Sequence, residues 1–186
     1  GEDASATAAV QVDASRTAKA MIGPSGGNVS ATAADGRRYT LTVPAGALAS
    51  NPEITATPAT SMGAAPLAAG VKGAVRFGPS GLKFGQAATL RIEGAATTAT
   101  AGKRLVGFLR SDDGAAMQLV PLEVVGNALE LPVSHFSDGG AAEATAEEIA
   151  AVPLAPITDP VEELFDIFVR ETSINRPEAE EIALLV

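Results

Sequence analysis

The chain contains a single histidine, His135, and Phe136 and Ser137 follow it directly. Imidazole titrates near neutral pH, so it can accept the proton of a serine hydroxyl, which is otherwise a weak nucleophile. Side chains two positions apart on a strand point to the same face of a sheet. A strand at this place would therefore make His135 and Ser137 neighbours, with Phe136 pointing away. These three residues form the candidate catalytic site.

The strand that leads into this motif has its apolar residues at alternate positions. They are Leu129, Leu131 and Val133. If the alternation continues, His135 and Ser137 face the core and Phe136 faces solvent, which is the reverse of what a core favours. Pro132 cannot donate a ladder hydrogen bond, so a bulge or strand end near 132–134 is expected to shift the register and bury Phe136. A distorted backbone here would also supply strain, which can assist a reaction at the peptide bond.

Composition excludes several other kinds of site. The chain has no cysteine and no tryptophan, and Tyr39 is its only tyrosine. Disulfides, thiolate metal sites and cysteine nucleophiles are therefore excluded, and a stacking surface for nucleobases or sugars is not expected. The turn Asp112-Asp113-Gly114 lacks the further oxygen ligands of a calcium loop. We therefore expect no metal site.

Two glycine-rich stretches resemble each other, GPSGG at 23–27 and GPSGL at 78–82. A phosphate-binding glycine loop would need a helix after it, whose N-terminus faces the anion. Strand patterns follow both stretches instead. They are predicted to be tight turns.

The net charge of −9 is concentrated at one end of the chain. Residues 1–142 have as many acidic as basic side chains, so residues 143–186 account for the whole excess. Because such a segment repels nucleic acids and anionic lipids, we do not expect those partners. No apolar run approaches the roughly 18 residues that span a bilayer, so membrane insertion is not expected either.

The pattern of strands and turns predicts a mainly β protein with four parts. Residues 1–18 are small and polar and are predicted to be flexible. Residues 19–138 show about eight or nine short strands separated by turns such as Asp35-Gly36, the pattern of an antiparallel β-sandwich. Residues 139–157, rich in Ala, Gly and Pro, are predicted to be a linker around a short helix near 143–151. Residues 158–186 are predicted to be an acidic helical appendage.

The appendage has a clear helix start. Thr158 or Asp159 can cap it, Pro160 suits its first turn, and Glu162 completes a capping box. Its apolar residues lie at helical spacing and form one stripe, namely Val161, Leu164, Phe165, Phe168 and Val169. A second start follows at Asn175-Arg176-Pro177. The stripe either packs back on the β-domain or serves as a surface for a partner or for self-association.

Four ordered motifs resemble ZU5-like domains. They are IGPSGGNVSATAADGRRYTLTVPAGAL, ITATPAT, VRFGPSGLKFGQAATLRIEG and VSHFS, and together they cover about residues 20–138. The resemblance implies a β-sandwich with a binding or spacer role, and it implies no cofactor and no small-molecule substrate. In a subset of these domains the His-Phe-Ser motif cuts its own backbone between Phe and Ser. Carried over, the bond would be Phe136–Ser137, with Ser137 as the nucleophile and His135 as the proton acceptor. The resemblance does not extend to the residues from 143 onward.

Two functions of different class remain open. The preferred one is a non-enzymatic structural or interaction module of an exported or surface bacterial protein, in the periplasm, on the cell surface or secreted. Its partner would be another protein or other domains of the same protein. The alternative is a self-processing domain whose only substrate is its own Phe136–Ser137 bond. Gly1 in place of a methionine is interpreted as the result of removing a signal segment or other upstream sequence.

Overall fold

The computed structural model describes residues 10–63, 67–110 and 117–152. These ranges contain twelve β-strands, two 3-10 turns and one short α-helix, α1 (Ala146–Ala150). The strands are β1 (Val10–Val12), β2 (Ala18–Met21), β3 (Gly27–Thr32), β4 (Arg38–Val43), β5 (Glu53–Met62), β6 (Val71–Gly78), β7 (Lys83–Glu93), β8 (Arg104–Arg110), β9 (Met117–Val120), β10 (Glu123–Val125), β11 (Ala128–His135) and β12 (Asp138–Ala144). The predicted helical appendage at 158–186 and the Asp112-Asp113-Gly114 turn lie outside the described residues.

The strands form two antiparallel sheets that pack face to face. The seven-stranded sheet has the order β1-β5-β6-β12-β8-β9, and β2 also pairs with β5. The five-stranded sheet has the order β10-β11-β7-β4-β3. The predicted antiparallel β-sandwich is confirmed. Eight or nine strands were expected within 19–138. The described part has more because β1 lies before that range, β12 extends beyond it, and the predicted run 116–125 is divided into the short strands β9 and β10.

The main core lies between the two sheets and follows the predicted alternation. Tyr39, Leu41 and Val43 of β4 are all buried, and the hairpin between β3 and β4 turns at Asp35-Gly36, where Gly36 has a φ of 88°. The five-stranded sheet also contributes Leu90 and Ile92, and these meet Val75 and Phe77 of the opposite sheet in one apolar cluster. Burying such side chains stabilises the sandwich by about 1.5–3 kcal/mol each.

The N-terminal boundary differs from the expectation that residues 1–18 are flexible. Residues 1–9 lie outside the described part, but regular structure begins at Val10 instead of near Lys19. Strand β1 pairs antiparallel with the end of β5, where Val10 lies opposite Met62. Val10 is buried, so even this small polar segment anchors one apolar side chain. The strand Val10-Gln11-Val12 is too short for a periodic pattern, which is why the sequence did not reveal it.

The C-terminal boundary also needs correction, because residues 139–144 are not a linker. Strand β12 lies between β6 and β8 near the middle of the seven-stranded sheet. Close packing requires a glycine at position 140. A Cβ atom on Gly140 would come within 2.3 Å of the Gly73 carbonyl oxygen and 2.8 Å of Phe108 Cζ. The sandwich therefore extends through β12.

The short helix predicted near 143–151 is present as α1. Thr145 caps it, since its hydroxyl accepts a hydrogen bond from the Glu148 amide at 3.2 Å. The Glu148 carboxylate in turn accepts one from the Thr145 amide at 2.8 Å, which completes a capping box. Ile149 anchors the helix by its burial. Among the described residues, no helix is long and apolar enough to cross a membrane.

Candidate functional site

The His-Phe-Ser motif lies where the chain passes from one sheet to the other. His135 is the last residue of β11 in the five-stranded sheet, and Asp138 is the first residue of β12 in the seven-stranded sheet. Phe136 and Ser137 are thus the two residues of the crossover. The pairing of β11 with β7 shifts register between Val133 and His135, as the conflict in the alternation predicted.

The crossover is fixed by three backbone hydrogen bonds to residues 77–82, which include the GPSGL turn. The Phe136 amide donates to the Leu82 carbonyl at 2.7 Å. The Gly81 amide donates to the Phe136 carbonyl at 3.4 Å, and the Phe77 amide donates to the Ser137 carbonyl at 3.3 Å. These three bonds hold residues 136 and 137 against residues 77–82. They therefore restrain the backbone on both sides of the Phe136–Ser137 peptide bond.

Phe136 belongs to the main core and is 1% exposed. Its ring stacks on Phe77 with the ring centres 5.3 Å apart and meets Phe84 edge to face at 5.0 Å. Both geometries are favourable for aromatic pairs. The register shift thus accompanies the burial of Phe136 between the two sheets, as predicted.

The two polar side chains of the motif bind their chain neighbours and not each other. His135 is half-buried, and its Nδ1 shares a hydrogen bond of 3.2 Å with Ser134 Oγ. Ser137 is 2% exposed, and its Oγ donates to the Asp138 carbonyl at 3.5 Å, the outer limit for such a bond. A hydroxyl pointed at a carbonyl oxygen is not being deprotonated by a base, so the arrangement is not poised for attack.

The next residue, Asp138, forms a two-point ion pair beside the motif. Its carboxylate receives two hydrogen bonds from Arg76, from Nε at 2.7 Å and from Nη2 at 3.0 Å. The aspartate is nearly fully buried, whereas the Arg76 side chain is 42% exposed. This two-point pair joins β12 to β6 and fixes the strand immediately after Ser137.

One feature of the site does match the chemistry of self-cleavage. Attack of Ser137 Oγ on the Phe136 carbonyl carbon would place negative charge on the Phe136 oxygen, and the Gly81 amide already donates to that oxygen. A backbone N–H in this position can act as an oxyanion donor. Gly81 has a φ of 75°, in the left-handed region that glycine tolerates, so the turn can present its amide in this way.

Sequence reasoning identified the three motif residues but not their surroundings. It missed Gly81 as the donor to the Phe136 carbonyl, and it missed the Arg76–Asp138 pair. The GPSGL stretch indicated a tight turn, yet no local pattern could show that the turn lies against residues 136–137 more than 50 positions away.

The described residues contain no group of three or more His, Cys, Asp or Glu that could hold a metal ion. Comparison of the sequence with protein-family models gave no match, and comparison with curated proteins gave none either.

Proposed function

We propose that the chain is a non-enzymatic, ZU5-like β-sandwich module of an exported bacterial protein, with a structural or interaction role. The observation that carries this proposal is the bonding of the motif: the Ser137 hydroxyl donates to the Asp138 carbonyl, and His135 bonds to Ser134. On this account His-Phe-Ser closes the sandwich by joining its two sheets through a buried phenylalanine.

The edges of the sheets support an interaction role. Strand β10 is the edge of the five-stranded sheet, and its Val124 and Val125 are 51% and 40% exposed. An edge strand has unpaired N–H and C=O groups that can pair with a strand from a partner. The proposed partner is another protein or another domain of the same protein.

Self-processing is the second candidate, and the Gly81 amide on the Phe136 carbonyl is what favours it. In that reaction Ser137 Oγ loses its proton to His135 and bonds to the Phe136 carbonyl carbon. The C–N bond to Ser137 then breaks, and the nitrogen takes up the proton as an amine. Water opens the resulting ester and leaves a Phe136 carboxylate and a restored Ser137 hydroxyl. For this to occur, Ser137 Oγ must first leave the Asp138 carbonyl and approach His135.

An intact-mass spectrum under denaturing conditions separates the two candidates. The proposal predicts one species at the full 18.6 kDa, unchanged by incubation with hydroxylamine. Ser137→Ala and the matched control Ser134→Ala should give the same single species. Two fragments, 1–136 and 137–186, that disappear in Ser137→Ala but persist in Ser134→Ala would establish self-processing instead.

A further inference from the structure

The seven-stranded sheet is apolar on its outer face as well as on the face that meets the other sheet. Along β8, Leu109 belongs to the core between the sheets, whereas Val106 and Phe108 belong to a second cluster. Because side chains alternate along a strand, this second cluster lies on the opposite side of the sheet. We call it the outer apolar cluster, and its buried members are Leu67, Ala74, Val106, Phe108, Met117, Leu119, Ala142, Ala144, Ile149 and Val152.

The outer apolar cluster is too wide for α1 alone to cover. It spans the adjacent strands β6, β12, β8 and β9, which is about 14 Å across at the usual strand spacing. Helix α1 has five residues, so it is only about 7.5 Å long. It lies against β12, yet Met117 and Leu119 on the edge strand β9 are 4% and 2% exposed. Further apolar side chains are needed to cover that side.

The sequence offers one stretch with such side chains. Residues 1–9, 64–66 and 111–116 contain only small, polar or charged residues and one proline. Residues 153–186 contain the apolar stripe at helical spacing that includes Phe165 and Phe168. This segment continues directly from Val152, which is 2% exposed and is itself a member of the outer apolar cluster. The segment therefore starts at the surface that needs cover.

The charges on the two sides are complementary. Alternation along β6 and β8 places Arg76, Arg104 and Arg110 on the same face as the outer apolar cluster. Asp138 of β12 lies on the same face and bonds to Arg76. Residues 153–186 contain eight acidic side chains and only Arg170 and Arg176 as bases. Carboxylates beside the stripe can thus pair with the arginines while the stripe covers the apolar centre.

We propose that the outer apolar cluster is an intramolecular docking surface and that residues 153–186 of the same chain occupy it. The apolar stripe lies over Phe108, Met117 and Leu119, and the flanking carboxylates face the arginines. This inference does not depend on the role assigned to the His-Phe-Ser motif.

Hydrogen exchange of the full chain, followed by mass spectrometry, tests this docking. Phe168→Asp places a charge in the middle of the stripe, and Ile167→Asp is the matched control because residue 167 lies off the stripe on the same helical pattern. We expect Phe168→Asp to raise the exchange rates of β8 and β9 amides about tenfold or more. The amides of β4 and β7 in the other sheet should keep their rates. Ile167→Asp should leave both groups close to the parent chain.

Equal exchange in β8 and β9 for both variants and the parent chain would overturn the proposal. The proposal would also be overturned if light scattering showed a dimer and the β8 and β9 amides lost protection on dilution. A second copy of the chain would then be the occupant. If Phe168→Asp fails to fold, the milder pair Phe168→Ala and Ile167→Ala is compared in the same way. Selective loss of protection in Phe168→Ala supports docking, and equal behaviour of that pair contradicts it.

Discussion

Phe136 holds the crossover through its ring and its backbone together. The ring lies between Phe77 and Phe84, while the amide and carbonyl bond to the turn at 81–82. The neighbouring Ser137 hydroxyl has only the 3.5 Å contact to the Asp138 carbonyl. Stability at this position should therefore depend on the aromatic ring much more than on the hydroxyl.

Phe136→Ala should lower the free energy of unfolding by about 3–5 kcal/mol, because it removes a buried ring and leaves a cavity. Phe84→Ala is the matched control, and it should cost less, since Phe84 is only half-buried. Ser137→Ala should change stability by under about 1 kcal/mol. Urea unfolding followed by circular dichroism measures all three. A larger loss for Ser137→Ala than for Phe136→Ala would show that the hydroxyl is the structural anchor.

The burial of Phe136 could be predicted from the sequence, whereas its contacts with Phe77 and Phe84 could not. Strict alternation would have put the ring in solvent, and Pro132 indicated that the register shifts before His135, which the structure confirms. The contact with Gly81 depends on how β6 and β7 are placed in space. The local sequence pattern does not predict how β6 and β7 are placed relative to residues 136 and 137.

Strand β12 shows why composition led to the incorrect prediction of a linker from residue 139. Its sequence, DGGAAEA, has low strand propensity and is typical of a linker. Small residues are required there because neighbouring strands approach closely, as the 2.3 Å between a Cβ on Gly140 and the Gly73 carbonyl indicates. The strand forms because β6 and β8 supply hydrogen-bonding edges on both sides. Tertiary context overrides propensity in this case.

The position of β12 predicts where the chain can be shortened. A chain that ends at Asp138 lacks most of a strand between β6 and β8 and should not fold cooperatively. A chain that ends at Val152 keeps all the described strands and should show a strand-type circular dichroism spectrum with a cooperative thermal transition. A cooperative transition in the chain that ends at Asp138 would contradict this account of the sheet.

The loop before β8 is tied to β12 by Glu143. Its carboxylate accepts a hydrogen bond from the Thr100 amide at 2.9 Å and pairs with Lys72 Nζ at 3.0 Å. The Thr100 amide first, and then Lys72, lower the Glu143 pKa from 4.5 to about 2. A depressed carboxyl pKa stabilises the fold above the unfolded-state pKa, and this stabilisation is lost as the pH falls toward the folded-state value.

Glu143→Gln should therefore flatten the acid part of the stability profile. At pH 7 the variant should unfold at a lower urea concentration than the parent chain, because a neutral amide interacts less favourably with the Thr100 amide and Lys72. The gap should narrow between pH 4.5 and about 2, where the parent carboxylate takes up its proton. Urea is preferred to guanidinium because salt screens the pair. Parallel profiles for the two chains would show that the Glu143 pKa is not lowered.

Successive strands and hairpins of the chain belong alternately to the two sheets. The chain crosses from one to the other six times between Val10 and Ala144, the last time through Phe136 and Ser137. The strands of each sheet are therefore separated along the chain by strands of the other sheet. The long apolar core between the two sheets couples them, so the described sandwich should unfold as one cooperative unit.

Tyr39 can report on that coupling, because the chain has no tryptophan and no other tyrosine. It lies on β4 of the five-stranded sheet, and a Cβ atom on Gly73 of β6 in the other sheet would come within 2.9 Å of its hydroxyl oxygen. Gly73→Ala should therefore force the sheets apart locally and cost about 1–3 kcal/mol. Gly85→Ala is the matched control, since its Cβ would meet its nearest atoms at an ordinary 3.6 Å. Because the sheets are coupled, tyrosine fluorescence and circular dichroism should shift together to lower urea in Gly73→Ala and stay near the parent values in Gly85→Ala. Loss of the tyrosine signal before the circular dichroism signal would instead show that the sheets separate before they unfold.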